Sequence, residues 1–497
     1  MFFKRIILFL AVVMLIMLPL LAACDNDNDD ESSTAADVSA ESEFPYEGSF
    51  GGKTIRILTV DSSRHIYGEL QFVPDEEKTG NVVNDRVADR NNLIEERYGL
   101  KIELTGSQTP VEDAKILITG GTCDYDIIVD AVDKMVTSVT ENIFWSLDDV
   151  LDLDNEWWDK SSINSLTLND KHYFVAGDAM ITDDDNIYLT LFNKNMYEEN
   201  QKLKEDHGDI YQLVKDGKFT FDAFKEMSKT VSVADENGEW SFYATYGNLS
   251  HGYGATIMVN GAGVPLAERM EDGTVQLNPG TEKALTVFDK VYEIMSDKTI
   301  TQRAELIIGE GPTPSTWGFS ELQHMFVSGR GLFYNTTSSS ITSLKQTTEA
   351  MDFDFGVLPI PKYDENQDNY YCAVNRYQSS VIGIPTTNSN NLDATAFLLE
   401  ALGFYSKDVT DAYYMTTLQL QALTDDDDAE MLDIIYNNRF YDIGSIYSWG
   451  NNALVGLYTS VIRNDTANTV VSSWESIRSS VEADMQKTIE EYQNNLT

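Results

Sequence analysis

The chain has 497 residues, with 81 Asp and Glu against 35 Lys and Arg, and a formal net charge of −46. This length is enough for two or three domains around a large apolar core. The charge excludes sequence-independent binding to nucleic acid, because the acids greatly outnumber the cations that would neutralise phosphates. Three cysteines, Cys24, Cys123 and Cys372, allow one disulfide at most, and the last two are interpreted as buried thiols without a chemical role.

The first 24 residues have the order of a secretory signal. Two cations at positions 4 and 5 precede an apolar run over residues 6–23, which ends at Cys24 and a polar, acidic stretch. Residues 21–24, Leu-Ala-Ala-Cys, resemble a bacterial lipobox. The resemblance implies that residues 1–23 are removed and that a diacylglyceryl group on Cys24 anchors the mature chain to the outer face of the cell membrane. The alternative is a simple signal anchor that contains an incidental cysteine.

Residues 24–49 are rich in Asp, Asn, Ser, Glu and Ala and contain few apolar side chains. Such a composition buries too little surface to offset the entropy cost of ordering the chain. The segment is therefore interpreted as a disordered acidic tether that holds a folded body away from the membrane.

The folded body starts with alternating strand and helix patterns. Polar and β-branched apolar residues alternate over 53–60, which predicts the first strand. Apolar residues at helical spacing over 82–98, followed by Gly99, predict a helix that ends at a left-handed residue. The next predicted elements are a strand at 101–104, a helix at 111–118 and an aliphatic strand at 125–129. This order predicts a wound α/β sheet with helices on both faces.

The rest of the chain continues with both kinds of element and has no internal repeat. Because a folded body of about 450 residues is longer than a typical single domain, two lobes are expected. Further strands are predicted at 172–175, 187–192, 331–334, 353–358 and 379–384. Further helices are predicted at 221–231, 281–295, 320–327, 393–405, 428–437 and 474–492.

No motif for catalysis, a cofactor or a metal is complete. Residues 51–54 lack the first glycine of a phosphate-binding loop, and the glycines at 252–254 and 261–263 lack the third glycine of a dinucleotide fingerprint and are interpreted as turns. The five histidines are scattered and are interpreted as structural. The acidic runs 183–185 and 425–428 do not match a calcium loop and are interpreted as loop surface. No metal and no cofactor is predicted, while a glycosidase-type pair of carboxylates stays open among so many acids.

Several short segments of the body, taken in order, resemble one protein family. They are Phe50 to Leu58, Tyr125 to Ile128, Leu151 to Asp159, Lys171 to Asp178, Leu191 to Lys194, Gly217 to Asp222 and Gly356 to Lys362. With the lipobox, they make the chain similar, over roughly residues 45–490, to the family 1 extracellular solute-binding proteins. These are lipoprotein receptors of bacterial ABC importers, and the group includes maltose-binding protein.

The resemblance implies an α/β fold of the type II periplasmic-binding-protein class, with two α/β lobes, a ligand cleft between them and a hinge. A ligand that binds both lobes only in the closed form drives closure, and the permease is expected to recognise that closed form. Lobe one is placed at 50–176 with 335–405, and lobe two at 177–334 with 406–497.

The expected ligand is a carbohydrate, because sugar sites combine aromatic platforms with planar polar side chains. Trp317, in a loop entering a helix, and Trp449, in the last part of lobe two, are each open between cleft and core. The tryptophans interpreted as packing residues are Trp145, Trp157, Trp158 and Trp474. Polar candidates lie near strand ends and lobe crossings, since ligands bind beyond the carboxyl ends of strands. They are Asp61, Arg64, Asp130, Asp178 and Asn335, with Arg376 and Tyr377 in a loop before a strand.

The sequence therefore predicts a carbohydrate-binding receptor of an ABC importer, without catalytic activity. Its expected partners are a small carbohydrate, the transmembrane subunits of a permease and the membrane through Cys24; it is expected to be a monomer and to bind no nucleic acid. A receptor for peptides or other polar solutes is the alternative among binding proteins, and the charge disfavours a strongly anionic ligand. A surface-anchored carbohydrate-active enzyme and a surface adhesin are the alternatives from other classes.

Overall fold

The computed structural model describes residues 43–77, 80–346, 351–419, 426–464 and 466–494. Within these ranges, the residues from Tyr46 onward form one compact unit, and residues 43–45 are not part of it. The predicted signal peptide, Cys24 and most of the predicted tether thus lie outside the described residues. No helix in the described ranges combines the length and the apolar character that crossing a membrane requires.

Thirteen strands are present in the described residues. They are β1 Lys53–Val60, β2 Leu100–Ser107, β3 Ile127–Ala131, β4 Tyr188–Asn193, β5 Tyr246–Ser250, β6 Ala267–Arg269, β7 Val275–Leu277, β8 Thr301–Arg303, β9 Gly331–Thr337, β10 Phe355–Leu358, β11 Cys372–Ala373, β12 Ser380–Gly383 and β13 Arg439–Phe440.

The same ranges contain eighteen α-helices. They are α1 Val82–Tyr98, α2 Pro110–Thr119, α3 Val132–Thr137, α4 Lys160–Leu166, α5 Lys194–Glu198, α6 Gln201–His207, α7 Ile210–Lys215, α8 Phe221–Val231, α9 Gly254–Gly261, α10 Glu282–Met295, α11 Phe319–Val327, α12 Ser339–Gln346, α13 Leu392–Tyr405, α14 Lys407–Gln419, α15 Asp426–Asn437, α16 Ile443–Ile446, α17 Leu457–Asn464 and α18 Val470–Asn494. Short 3-10 turns lie at Val139–Glu141, Asp184–Asn186 and Ala304–Leu306.

The first sheet has the strand order β12-β3-β1-β2. β1 pairs in parallel with both β2 and β3, whereas β12 pairs antiparallel with β3. All five residues of β3 are buried, which explains its aliphatic sequence. Helix α1 buries Val83, Val87 and Ile94 and ends, as predicted, at Gly99 with a φ of 67°. A Cβ at Gly99 would lie 2.9 Å from the backbone nitrogen of Gly51, so only glycine fits this turn.

The second sheet has the order β10-β4-β9-β5-β8. β4 pairs antiparallel with β9 and β10, while β5 runs parallel to β8 and β9. Helix α8 covers this sheet, with Phe224 stacked on Phe333 of β9 at 4.5 Å between ring centroids. Two small pairs, β6 with β7 and β11 with β13, complete the pairing. The two larger sheets give the mixed α/β architecture that the sequence predicts.

Strand membership bears on the predicted lobe boundaries. The four strands of the first sheet all fall inside the ranges predicted for lobe one. β10 also falls inside those ranges, yet it pairs with β4 of the second sheet. The predicted strand at 172–175 is wrong, since only Val175 pairs there, as an isolated bridge to Ile382. The lobe limits otherwise stay a prediction.

Four acids of the two acidic runs are buried, although Asp426 is exposed as predicted. Asp183, Asp184 and Asp185 are buried in the segment that leads from the first sheet to β4. In the second run, Asp428 is buried in the first turn of α15; its carboxylate pairs with Lys194 at 2.8 Å and accepts hydrogen bonds from Tyr211 and the backbone of Val357. Asp425 lies outside the described residues. The interpretation as loop surface is wrong for these buried acids. Asp184, Asp185 and Asp428 have partners far away along the chain, whereas Asp183 Oδ1 is buried without a hydrogen-bond partner.

The cysteine interpretation is half confirmed. Cys372 is buried in β11, and its thiol is unpaired. Cys123 is also unpaired but half-buried, so the prediction of burial is wrong for it. The glycine turns also need correction, because Gly254 and Gly261 are the first and last residues of α9.

Candidate functional site

A cleft with a volume of about 960 Å³ is bordered by elements of both larger sheets. On the first-sheet side it is lined by Asp133 and Lys134, at the start of α3 directly after β3, and by residues 375–378 before β12. On the second-sheet side the lining comes from Tyr188 in β4 and from residues 334–337 in β9. The volume is that of a small-molecule site, since ligand pockets typically measure about 300–1,000 Å³.

Aromatic side chains dominate the apolar lining. Trp317, Phe319 and Tyr377 are 63%, 48% and 49% exposed, which is unusual for side chains of this size. Trp317 and Phe319 lie at the entry to α11, whereas Tyr377 lies across the cleft on the first-sheet side. Three less exposed aromatic residues complete the lining: Tyr188, Tyr253 and Tyr334. The cleft thus offers flat apolar faces from both of its sides.

The amide of Asn335 lines the cleft from β9 but is held by its neighbours. Its Oδ1 accepts a hydrogen bond from Thr190 Oγ1 at 2.9 Å, and its Nδ2 donates to Asn248 Oδ1 at 2.9 Å. The side chain is buried. Asn335 therefore has a fixed orientation at the base of the cleft, which is the preorganisation that a binding site needs.

Arg376 forms part of the cleft wall and ties two segments together. Its Nη2 donates to Tyr377 Oη at 2.5 Å and to Asn452 Oδ1 at 3.1 Å. Its Nη1 donates to the Ser445 carbonyl and to Ser448 Oγ. The guanidinium carbon lies 4.3 Å from the centre of the Tyr377 ring, a cation–π distance. Arg376 thus fixes both Tyr377 and Asn452 at the cleft.

The lining of the cleft also contains an ion pair of Glu305 and Arg463, together with His251. Arg463 Nε and Nη2 donate to Glu305 Oε1 at 2.9 and 2.7 Å, and the Gly252 N–H donates to the same carboxylate. Burial by itself raises the pKa of Glu305, but these hydrogen bonds bring it below its ordinary value. Burial lowers the pKa of His251 to about 4, so this imidazole is neutral at pH 7.

Four of the nine sequence-predicted ligand residues line the cleft: Trp317, Asn335, Arg376 and Tyr377. Asp61 does not, since its carboxylate accepts hydrogen bonds from Ser63 and Gln108, and the Ser63 hydrogen bond lowers its pKa. Arg64 and Asp130 do not line it either. They form an ion pair of 2.6 Å, in which Asp130 also accepts from the backbone of Val111 at the start of α2. The carboxyl ends of these strands are used for local structure.

Trp449 lies in the core and does not line the cleft. It is 1% exposed, stacks on Tyr447 at 5.3 Å and donates from Nε1 to Thr488 Oγ1 in α18. Trp157 and Trp158 are packing residues as predicted, since both indoles donate to the Glu400 carboxylate. Trp474 is buried, and Trp145 is half-buried.

Asp178 lies in a buried acidic cluster away from the cleft. The cluster also contains Asp159, Asp183, Asp184 and Arg439, whose charges act on its carboxylate or on one another. Burial and the charge of Asp184 raise the pKa of Asp178 to about 7. Asp178 was predicted to face the ligand at a lobe crossing, but it does not line the cleft, because it is packed in this acidic cluster.

Replacing Asp178 by asparagine is expected to stabilise the protein at pH 8 but not at pH 4. The folded-state pKa lies above the unfolded value of about 3.9, so the wild-type protein loses stability as the pH rises from about 4 to 7. The difference between the folded-state and unfolded-state pKa corresponds to about 4 kcal/mol of stability. Partial exposure of the carboxyl group reduces the expected gain in the free energy of unfolding to about 2 kcal/mol. Urea unfolding across this pH range measures it, with the exposed Asp408→Asn as control. A gain independent of pH would contradict the assignment.

Sequence reasoning missed several cleft residues. Asp133 and Lys134 follow β3 directly, so the rule of strand carboxyl ends could have found them. His251 and Tyr253 follow β5, a strand that the sequence did not reveal, because Tyr-Gly-Asn-Leu-Ser contains Gly and Asn, two residues poor in strand propensity. The other missed lining residues include Glu305, Phe319, Asn452 and Arg463.

The chain belongs to the family of bacterial extracellular solute-binding proteins, which it matches over residues 83–403. This confirms the resemblance seen in the sequence. Comparison with curated protein sequences finds no match.

Solved structures with a similar fold include three binding proteins. A maltose-binding periplasmic protein from Listeria monocytogenes in complex with maltose has a TM-score of 0.56 and 12% identity, covering 88% of this chain and 98% of its own. UgpB from Mycobacterium tuberculosis in complex with glycerophosphocholine has a TM-score of 0.56 and 13% identity, covering 88% of this chain and 100% of its own. An ABC substrate-binding protein from Listeria monocytogenes in complex with cycloalternan has a TM-score of 0.52 and 10% identity, covering 87% of this chain and 98% of its own. The fold is thus that of the type II periplasmic binding proteins, as predicted.

Proposed function

We propose that this chain is the carbohydrate-binding receptor of an ABC importer. The observation that carries the proposal is the pair of exposed aromatic faces, Trp317 and Tyr377, on opposite sides of one cleft. Sugar rings present C–H groups on their faces and hydroxyl groups at their rims, so they stack on such platforms and hydrogen-bond to neighbouring amides. Asn335 and Asn452 supply amides in the same cleft. Two fold neighbours are complexed with carbohydrates, maltose and cycloalternan.

Delivery of the sugar follows from closure of the cleft. The lining comes from both sheets, so a ligand that contacts Lys134 or Tyr377 together with Trp317 holds the two sides in one arrangement. That arrangement is what the transmembrane subunits of the permease are proposed to recognise. The proposal includes lipid attachment at Cys24, supported by the sequence around it, and a monomeric receptor on the outer face of the membrane.

A receptor for another polar solute is the second candidate. A specific observation favours it: a fold neighbour of equal similarity, UgpB, is complexed with glycerophosphocholine. Catalysis is not proposed, and Glu305, one of two carboxylates in the cleft, is fully engaged by Arg463 and Gly252. The deciding experiment is a thermal-shift screen against saccharides, peptides and phosphodiesters, with each hit analysed after incubation. Recovery of an unchanged sugar supports the proposal, whereas a shift by other solutes alone, or consumption of the hit, refutes it.

Replacing Trp317 by alanine is expected to weaken sugar binding about tenfold, because one aromatic platform is lost. Stability should change little, since the side chain is 63% exposed. Isothermal titration with the sugar found in the screen measures the affinity. Trp240→Ala is the matched control, because Trp240 is also exposed but does not line the cleft. Equal loss of affinity in both variants would contradict the assignment of Trp317 to the site.

A further inference from the structure

The cleft reverses the charge balance of the chain. Over the whole sequence, acids outnumber cations by 81 to 35. In the lining of the cleft, three cations, Lys134, Arg376 and Arg463, stand against two acids, Asp133 and Glu305. A cleft with low-dielectric walls focuses the field of the charges that line it. The site therefore presents a locally positive surface inside a strongly acidic protein.

One pair of these charges cancels. Arg463 contacts Glu305 through two nitrogens, at 2.9 and 2.7 Å, and the Gly252 N–H adds a third hydrogen bond to the carboxylate. Glu305 is thereby held in its charged form, and neither partner needs a ligand for neutralisation. The excess positive charge of the cleft consequently rests on Lys134 and Arg376, opposed by Asp133.

Arg376 is a buried cation whose contacts are all with neutral groups. It is 4% exposed, and its Nη atoms donate to two hydroxyl groups, one amide and one carbonyl. Its buried Nε has no hydrogen-bond partner, and in the described part of the chain it forms no ion pair. Asp133 acts on it only at a distance, and Asp133 Oδ1 is likewise buried without a partner. A buried cation without a counter-ion is costly, so this one requires an explanation.

Lys134 is the second cation without a counter-ion. It is exposed in α3, next to Asp133 and directly after β3, and it lines the cleft. No described carboxylate lies within ion-pair distance of its ammonium group. The chain has more than two acids for every cation. Two cations without an ion-pair partner in one cleft therefore point to a ligand that carries negative charge.

We propose that the ligand is an acidic oligosaccharide, one whose rings include a uronic acid, and that its carboxylate lies against Lys134, within the electrostatic field of the buried Arg376. The inference rests on the proposed carbohydrate function and narrows its substrate class. The Arg376 guanidinium covers one face of the Tyr377 ring, with its carbon 4.3 Å from the ring centre, so a sugar ring stacks on the other face and the buried cation acts on the ligand through its field. The single excess positive charge matches one carboxylate, whereas a dianionic group would leave net negative charge in an acidic protein. The net charge of the protein disfavours a ligand with several negative charges, whereas the cleft can neutralise a ligand with one carboxylate.

The test compares pairs of oligosaccharides that differ only at C6, one with a hydroxymethyl group and one with a carboxylate. Isothermal titration with the purified full chain measures both members of each pair. We expect at least one acidic member to bind about tenfold more tightly than its neutral partner, and the preference to shrink as salt rises. Neutral members binding as tightly would overturn the inference and leave the proposed function intact. Absence of binding by every member, with a non-sugar ligand that saturates the protein, would overturn both.

A pair of variants separates the cleft from the field of the whole protein. Lys134→Gln is expected to reduce the preference for the acidic member, measured as the ratio of the two affinities, about five- to tenfold. Lys229→Gln, at an exposed lysine of α8 outside the cleft, changes the net charge equally and should leave the preference intact. An equal loss in both variants, or no loss in Lys134→Gln, would contradict the placement of the carboxylate.

Discussion

Replacing Arg439 by methionine is expected to lower the free energy of unfolding by about 3–5 kcal/mol at pH 7. Arg439 lies in β13, where its Nε donates to Asp159 Oδ2 at 2.9 Å and its Nη1 pairs with Asp184. Asp183 and Asp178 lie within range of the same charge. Without the guanidinium, a group of buried carboxylates is left without a counter-ion, which costs more than the lost ion pairs themselves gain.

The loss should depend on pH in a defined direction. Burial already raises the pKa of Asp184, and Arg439 opposes that rise. In the variant, the folded-state pKa of these acids rises further above the unfolded value of about 3.9, so the deficit is full above the folded-state pKa. It shrinks as the pH falls and the carboxylates take up protons in the folded state. The difference between wild type and variant is therefore expected to be smaller at pH 5 than at pH 8.

Urea unfolding at pH 5, 7 and 8 measures this expectation. Arg269→Met is a suitable control, because Arg269 pairs with Asp170, whose side chain is 87% exposed. An ion pair with an exposed partner contributes less than about 1 kcal/mol to stability, so the free energy of unfolding of the control should remain close to that of the wild type at each pH. Equal destabilisation of the two variants would show that the buried acids do not depend on Arg439.

The elements with strong local patterns were predictable. The strand at 53–60, the helix at 82–98 and the helix at 221–231 have the limits that periodicity and capping residues indicate. β5 was missed because its fitness as a strand comes from its neighbours β8 and β9 rather than from its own residues. Tertiary pairing decides such segments, and that information is absent from a local pattern.

The burial of the acidic runs depends on contacts that no local pattern contains. Asp184 meets its partner Arg439 across 255 positions of the chain, and Asp428 meets Lys194 across 234. From the sequence alone, a run of aspartates indicates solvent, because an unpaired carboxylate is almost never buried. The run at 183–185 is buried because the fold brings a distant cation to it. Its burial could therefore not be predicted from the local sequence.

The candidate site was predictable in part for a similar reason. Arg376 and Tyr377 were found because a loop next to a strand of the first sheet was expected to face the cleft. Asp61, Arg64 and Asp130 also follow strands, but they pair with one another or with helix starts. Position at a strand end places a side chain near the cleft edge; competition for hydrogen bonds then decides whether it faces a ligand.

The orientation of Trp449 was beyond the sequence because of an unusual turn. Ser448, Gly450, Asn451 and Asn452 all have positive φ angles, which ordinary helices and strands do not contain. Asn452 is thereby directed to the cleft and to Arg376, while Trp449 is directed into the core against α18.

Replacing Trp449 by alanine is therefore expected to lower the free energy of unfolding by about 3–5 kcal/mol, the cost of a cavity in a packed core. The variant loses the stack on Tyr447 at 5.3 Å and the hydrogen bond to Thr488 at 3.0 Å. Urea unfolding measures the loss. Trp449→Phe is the informative second variant, because it keeps an aromatic ring against Tyr447 and should lose only about half as much.

Ligand titration of the same variants distinguishes this role from a platform in the cleft. Folded Trp449→Phe should bind the sugar with an affinity close to wild type, because the ring does not reach the cleft, whereas Trp317→Ala should lose affinity without losing stability. Normal stability combined with lost binding in Trp449→Phe would contradict the structure at this position. The two tryptophans, indistinguishable in the sequence, are thus expected to separate completely: one acts on the unfolding equilibrium and the other on the binding equilibrium.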